Sequence, residues 1–146
     1  MRIKPPHIAL LLLFLSWLVN RLLPEFKFVQ KPYSNLGIIV FIIGIALMTW
    51  AFYLFKKNKT PIIPGQKPKF VVIEGPYKFT RNPMYFGVTI ALSGAAFYIG
   101  NLLSFFSPAI FFMIMNFVYV PFEEKLMEKI FGKKYLAYKK KVRRWI

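Results

Sequence analysis

The chain has 146 residues, 57% of them hydrophobic, and a formal net charge of +16. This length leaves no room for a second domain beside several membrane spans, so we predict a single domain over residues 1–146. Nucleic-acid-binding proteins are basic but seldom this apolar, so the charge is expected to face anionic lipid or an anionic ligand, not nucleic acid. The absence of cysteine excludes disulfides and thiolate metal sites, and a single histidine, His7, argues against a histidine metal site.

Two apolar runs in the first half predict membrane-spanning helices. The first covers residues 8–23 and ends without the small-residue pattern of a signal-peptide cleavage site, so we interpret it as an uncleaved span. The second covers residues 36–55, which corresponds to about 30 Å of helix, enough to cross a bilayer. Lys56 and Lys57 follow it directly and predict its end.

The second half contains two more apolar runs, after a polar loop predicted at residues 56–83. They cover residues 84–100 and 102–121 and are separated by an uncharged turn, which predicts an antiparallel pair of helices. In residues 122–146, apolar side chains recur at helical spacing among basic ones, which predicts amphipathic helices at the membrane interface. The predicted fold class is therefore an all-α membrane protein with four transmembrane helices and C-terminal interfacial amphipathic helices.

Small and polar residues in the last two spans predict how these helices pack. Gly87, Ala91 and Gly94 recur at helical spacing, a pattern that lets helix backbones approach closely in lipid. Pro108 is expected to kink the fourth span, and Asn116 is expected to face neighbouring helices instead of lipid. We also expect a lateral opening beside the third and fourth spans, through which an acceptor with a hydrophobic tail would pass Gly87.

The distribution of basic residues predicts the orientation in the membrane. Residues 56–81 contain seven Lys or Arg and the tail after Glu124 contains nine, whereas the turn between the third and fourth spans contains none. Because cytoplasmic segments are enriched in Lys and Arg, the central loop and both termini of this multi-pass chain are expected to be cytoplasmic. The loop and the tail would then lie on the same face.

Two polar segments on that face are candidates for a binding site. The first is GPYKFTRNPMY, residues 75–85, and the second is the pair Glu123–Glu124. An arginine can bind a carboxylate through two hydrogen bonds, a carboxylate can bind an ammonium or ribose hydroxyls, and tyrosine faces can stack on adenine or a sulfonium. These groups suit S-adenosylmethionine without singling it out. The candidate cofactor-binding residues are Tyr77, Arg81, Asn82, Pro83, Tyr85, Glu123 and Glu124.

The same two segments, followed by FGKKYLAYKKKVRRWI, resemble the integral-membrane methyltransferase superfamily. This superfamily includes isoprenylcysteine carboxyl methyltransferases and phospholipid N-methyltransferases, and the resemblance covers residues 60–146. It implies that the Arg-Asn-Pro-x-Tyr motif and the Glu-Glu pair contribute to S-adenosylmethionine binding. Carboxyl methyltransferases usually have His at the position of Asn82. The sequence Asn-Pro-Met-Tyr is closer to the motif of the phospholipid N-methyltransferases.

The resemblance implies S-adenosylmethionine-dependent methyl transfer at the cytoplasmic membrane face to a lipophilic acceptor. That acceptor would be a phospholipid amine or an isoprenylcysteine-like carboxylate. Arg81 and Glu124 are assigned catalytic roles, with Glu124 as the base for an amine acceptor. Three alternatives stay open: a small-thiol S-methyltransferase, a sterol-type membrane reductase with the same architecture, and a non-enzymatic membrane protein. No metal is expected, and the sequence does not specify an oligomeric state.

Overall fold

A computed structural model describes residues 3–58 and 68–146, and this described part is almost entirely helical. Residues 59–67 of the predicted polar loop, including Thr60 where the resemblance begins, lie outside it. The described part contains no strand, and an isolated antiparallel bridge pairs Lys27 with Asn101. Its α-helices are α1 (Pro5–Leu22), α2 (Leu36–Lys57), α3 (Pro83–Ile99), α4 (Phe106–Ile114), α5 (Val120–Phe131) and α6 (Lys133–Lys141).

The apolar helices confirm the predicted fold class, an all-α membrane protein. Among the described residues, three helical stretches are long and apolar enough to cross a membrane: Pro5–Leu22, Tyr33–Lys57 and Leu102–Phe131. The fourth apolar helix, α3, is shorter, at 17 residues. Lys56 and Lys57 form the last turn of α2, where their positive charges face the partial negative charge of the helix end.

The last apolar stretch is one long helix that does not end at Pro121, where the sequence placed the end of the fourth span. Leu102–Phe131 is continuous over 30 residues, with a wider π-helical turn at Met115–Tyr119 between α4 and α5. Pro121 has no N–H to donate to the preceding turn. The π-helical turn directly before it changes the local hydrogen-bond pattern, so the helix continues through the proline. Pro108, where the sequence predicts a kink, lies in the first turn of α4, directly after the 3₁₀ turn Leu102–Phe105. A missing N–H costs little at this position.

Glycine residues bring α2 and α3 into backbone contact. Gly37 and Gly44 of α2 face Gly94 and Gly87 of α3. A Cβ atom at Gly87 would lie 2.7 Å from the carbonyl oxygen of Gly44 and 2.7 Å from the amide nitrogen of Met48. This confirms that the small-residue ridge serves packing. It also shows that the ridge faces α2, so Gly87 does not border an entrance for an acceptor.

Hydrogen bonds at the two ends of the helix bundle connect different segments of the chain. At one end, the carbonyl of Gly100 accepts a hydrogen bond of 2.7 Å from the amide of Phe28, so the connection after α1 packs on the turn after α3. At the other end, the hydroxyl of Tyr119 donates to the carbonyl of Ile3 at 2.5 Å. The two polar segments predicted as a site both lie at this second end, together with the N-terminal residues and the C-terminal tail.

We predict that Gly87→Ala lowers the free energy of unfolding by about 1–3 kcal/mol, the usual cost of overpacking a well-packed contact. The added methyl group meets backbone atoms of α2, which cannot move aside as a side chain can. Reversible denaturation in mixed detergent micelles would measure the change. Ile39→Val is the control, because it removes one methyl group from a side chain of α2 that is 57% exposed. Equal stability of the two variants would contradict the close helix contact.

Candidate functional site

Residues 80–82 hold the C-terminal segment of the chain through hydrogen bonds. The amide of Arg81 donates to the carbonyl of Arg143 at 3.0 Å. The hydroxyl of Thr80 and the side-chain amide of Asn82 each donate to the carbonyl of Arg144 at 3.0 Å. Two segments about 60 residues apart therefore lie side by side directly before α3 begins.

The guanidinium of Arg81 joins three parts of the chain. Its Nη1 donates to the carbonyls of Lys139 at 3.0 Å and Val142 at 2.7 Å, at the C-terminal end of α6, where carbonyls lack partners within the helix. Its Nη2 donates to Oε1 of Glu124 at 2.7 Å. The two side chains are only 8% and 7% exposed. Breaking such a buried pair leaves an uncompensated charge, which is strongly destabilising.

Further cations surround the carboxylate of Glu124. Arg144 donates to both of its oxygens, at 3.2 and 2.9 Å, and the ammonium of Lys139 lies 3.3 Å from Oε2. Arg144 and Trp145 also donate to the side-chain oxygen of Asn116, at 3.3 and 2.9 Å. Glu124 is thus neutralised by groups that anchor the tail. Substitution of Glu124 would therefore disturb folding as well as any bound ligand.

Glu123, the adjacent carboxylate, has a different environment. The hydroxyl of Tyr85 donates to its Oε1 at 2.6 Å. Within the described residues no ion pair involves Glu123. Both glutamates line the cavity. Because successive residues on a helix differ by about 100° in direction, Glu124 also reaches the cations of the tail, whereas Glu123 does not.

Tyr77 presents a buried hydroxyl to the same cavity. The residue is 3% exposed, and its hydroxyl has no hydrogen-bond partner among the described residues. Burial raises the pKa of Tyr77 well above its ordinary value, so the hydroxyl stays protonated and able to donate. The hydroxyl of Tyr138 fixes the Tyr77 backbone by donating to its carbonyl at 2.6 Å.

The Nε atom of Arg81 is a second buried donor without a partner in the described part. Buried unpaired donors are costly unless a ligand or water satisfies them.

The cavity has a volume of about 530 Å³, within the range of about 300–1,000 Å³ typical of small-molecule sites. It is polar at the end near the start of α3. Six of the seven residues predicted to bind a cofactor line it: Tyr77, Arg81, Asn82, Tyr85, Glu123 and Glu124. The seventh, Pro83, does not line the cavity; it is buried at the first position of α3, where its missing N–H costs nothing.

The body of the cavity is apolar and lies between α1 and α2. Both helices pack against α3, which forms its floor through residues such as Val88 and Leu92. Ala9 and Leu13 line it from α1, and Ile45, Met48 and Phe52 line it from α2. The apolar space thus lies on the α1–α2 side of α3, whereas the sequence placed an opening beside the third and fourth spans.

Several residues that complete this region are not among the candidate cofactor-binding residues predicted from the sequence. Tyr138 lines the cavity, and Arg144, Trp145 and Asn116 hold its tail segment in place. Of these residues, Asn116 could have been recognised from the sequence, since a side-chain amide in an apolar span needs a hydrogen-bond partner. No group of three or more His, Cys, Asp or Glu side chains that could hold a metal ion occurs in the described ranges.

Known proteins resemble this chain in sequence and in fold. A protein of Haemophilus influenzae without an assigned function is 35% identical over 63 residues, which are 43% of this chain and that protein's full length. Protein-S-isoprenylcysteine O-methyltransferase B of Arabidopsis thaliana is 27% identical over 111 residues, which are 75% of this chain and 56% of the relative. The eukaryotic intramembrane Ras methyltransferase, isoprenylcysteine carboxyl methyltransferase, has a solved structure that superposes with a TM-score of 0.74 at 23% identity, over 96% of this chain and 51% of that one.

This chain therefore spans about half the length of the two named methyltransferases. The structural likeness establishes a shared fold. The sequence model of the phospholipid methyltransferase family matches residues 33–134, which are more than half of the chain. The chain belongs to the phospholipid methyltransferase family.

Proposed function

We propose that this protein transfers a methyl group from S-adenosylmethionine to an acceptor with an apolar tail, at the cytoplasmic face of a membrane. The observation that carries the proposal is the single cavity with two contrasting parts, a polar end at the start of α3 and an apolar body between α1 and α2. Family membership supports methyl transfer. The named relative and the named structural neighbour are methyltransferases of isoprenylcysteine, an acceptor with an apolar chain.

The polar end of the cavity fits S-adenosylmethionine. The unpaired Tyr77 hydroxyl and Arg81 Nε can donate to a carboxylate or to ribose and adenine acceptors. When bound, S-adenosylmethionine supplies a methyl group on a positively charged sulfonium. The chain itself holds the polar groups in fixed positions, because Tyr138 fixes Tyr77 and the tail fixes Arg81.

Glu123 is the better candidate for a general base than Glu124, which the sequence favoured. Glu124 is hydrogen-bonded to Arg81 and Arg144 and paired with Lys139, so its oxygens are engaged. Glu123 is held by the Tyr85 hydroxyl alone and lines the cavity, so it can accept a proton from an amine. The apolar surroundings exclude water from this proton transfer and orient the acceptor.

The same carboxylate favours a lipid amine over a carboxylate acceptor. A carboxylate headgroup at the polar end would lie near Glu123, which no cation of the described residues neutralises, and like charges in an apolar cavity repel strongly. An ammonium headgroup would instead be attracted and could lose its proton to Glu123. A phospholipid amine is therefore the acceptor that we propose first, with an isoprenylcysteine-like carboxylate second.

Binding of S-adenosylhomocysteine to the detergent-solubilised protein tests the cofactor. We predict that Tyr77→Phe weakens this affinity by about 3–10-fold, the value of one hydrogen bond, while folding stability is unchanged or higher. Stability should not fall, because the hydroxyl makes no bond within the described part of the protein. Calorimetric titration and a melting curve would measure the two quantities.

Tyr119→Phe is the matched control for this variant. It also removes one tyrosine hydroxyl, but that hydroxyl bonds the carbonyl of Ile3, and Tyr119 does not line the cavity. We expect lower stability and unchanged affinity. No binding by the wild-type chain at millimolar ligand would remove the cofactor proposal. Unchanged affinity in Tyr77→Phe would remove only Tyr77 from the site.

Transfer of a radiolabelled methyl group to a panel of lipid amines, prenylated thioether acids and small thiols tests the acceptor. We predict that Val88→Phe, which narrows the apolar floor of the cavity, reduces turnover of long-chain acceptors about 10-fold or more and leaves cofactor affinity unchanged. Ile90→Phe, on the same helix but outside the cavity lining, should behave as wild type. Equal turnover of short and long acceptors in all three proteins would point to a small soluble acceptor instead.

The cytoplasmic location of the polar end has its own test. We predict that Lys133→Cys reacts with a membrane-impermeant maleimide only after the membrane is opened, whereas Lys31→Cys reacts in intact cells. Lys31 lies in the connection at one end of the bundle and Lys133 begins α6 at the other, and both are exposed. Because the chain has no native cysteine, each variant reports a single site. The reverse pattern would place the polar end on the outer face.

A further inference from the structure

A second cleft, of about 390 Å³, lies beside the cavity between α6 and the segment that precedes α3. Val71 and Tyr138 line both spaces, so these two residues lie between them. Three exposed lysines line this cleft: Lys78 in the 3₁₀ turn Gly75–Lys78, Lys134 in the first turn of α6 and Lys141 in its last turn. Lysines from the segment before α3 and from both ends of α6 thus place positive charge around this cleft.

Within residues 3–58 and 68–146, no acidic side chain pairs with these three lysines. The chain has five acidic residues in all. Glu74 pairs with Lys57 at 3.6 Å, and Glu124 and Glu128 both pair with Lys139. Of the other two, Glu123 bonds Tyr85 inside the cavity, and Glu25 lies in the connection after α1. The cleft therefore keeps an uncompensated positive charge, which attracts an anion.

The walls of the cleft are apolar. Val71, Ile73 and Val142 line it together with the lysines. In the same segment before α3, Phe70 and Phe79 are 55% and 74% exposed. Exposed aromatic side chains next to lysines are typical of surfaces at the level of lipid headgroups, where the rings enter the interface and the ammonium groups stay in water. A ligand for this cleft therefore has both an anionic group and an apolar part.

We propose that this cleft binds the headgroup of an anionic phospholipid. The phosphate would lie among Lys78, Lys134 and Lys141, and the glycerol and upper acyl carbons would pack along Val71 and Ile73. Inorganic phosphate offers the same charge but gains nothing from the apolar walls. This site is separate from the proposed methyl acceptor, and it does not depend on methyl transfer.

Titration of the full chain in uncharged detergent micelles with phosphatidylglycerol, against phosphatidylcholine, tests the site. The variant Lys78→Gln/Lys134→Gln/Lys141→Gln should lose about 100-fold in affinity for phosphatidylglycerol, given the usual value of a lysine near anionic lipid. The control Lys129→Gln/Lys133→Gln/Lys140→Gln removes the same charge from exposed lysines that do not line the cleft, and it should lose at least 10-fold less. Equal losses in the two variants would overturn the site, because diffuse charge alone would then explain binding.

A variant that keeps the charge provides a second test. Ala137 is exposed and lines the cleft, so Ala137→Trp fills it without altering the net charge. We expect this variant to lose phosphatidylglycerol binding while its melting temperature and its affinity for S-adenosylhomocysteine stay at wild-type values. Retained lipid binding would overturn the proposal. So would glycerol 1-phosphate binding as tightly as the lipid, because the apolar walls would then contribute nothing.

Discussion

The buried ion pair between Arg81 and Glu124 is the contact on which this end of the molecule depends. Two charges removed from water need hydrogen-bond partners, and here the helix-end carbonyls of α6 accept from Nη1 of Arg81 while the guanidinium of Arg144 donates to Glu124. As a result α6 and the tail are fixed against the start of α3 and the end of the long helix. The polar end of the cavity keeps its shape because these elements cannot separate.

Because Glu124 forms the ion pair with Arg81, the two adjacent residues Glu123 and Glu124 have different roles. Glu124 is directed to the tail and surrounded by cations, so it serves the structure. Glu123, one position earlier on the same helix, lines the cavity with the Tyr85 hydroxyl as its partner. A carboxylate held by a neutral group in an apolar space is the more reactive proton acceptor of the two. The tail thereby influences the proposed chemistry, since its cations engage the oxygens of Glu124, which also lines the cavity.

The glycine contact between α2 and α3 accounts for the apolar part of the cavity. Gly44 and Gly87 bring these two backbones together, whereas α1 packs on α3 and on the turn and helix that follow it. The space left between α1 and α2 is lined by side chains such as Leu13 and Met48. Apolar walls of this kind accept an acyl or prenyl chain with little desolvation cost. The packing of the bundle thereby decides where a lipophilic acceptor can enter.

The sequence by itself determined the four apolar helices and the two segments that carry the polar groups. These follow from local physics: apolar length and the types of side chain present. Only the tertiary structure decided that Glu124 pairs with Arg144 while Glu123 faces the cavity, and that Gly87 packs on α2. Those outcomes depend on residues distant in sequence, such as Arg81 and Glu124, 43 positions apart, and no local pattern encodes which distant partner a side chain will meet.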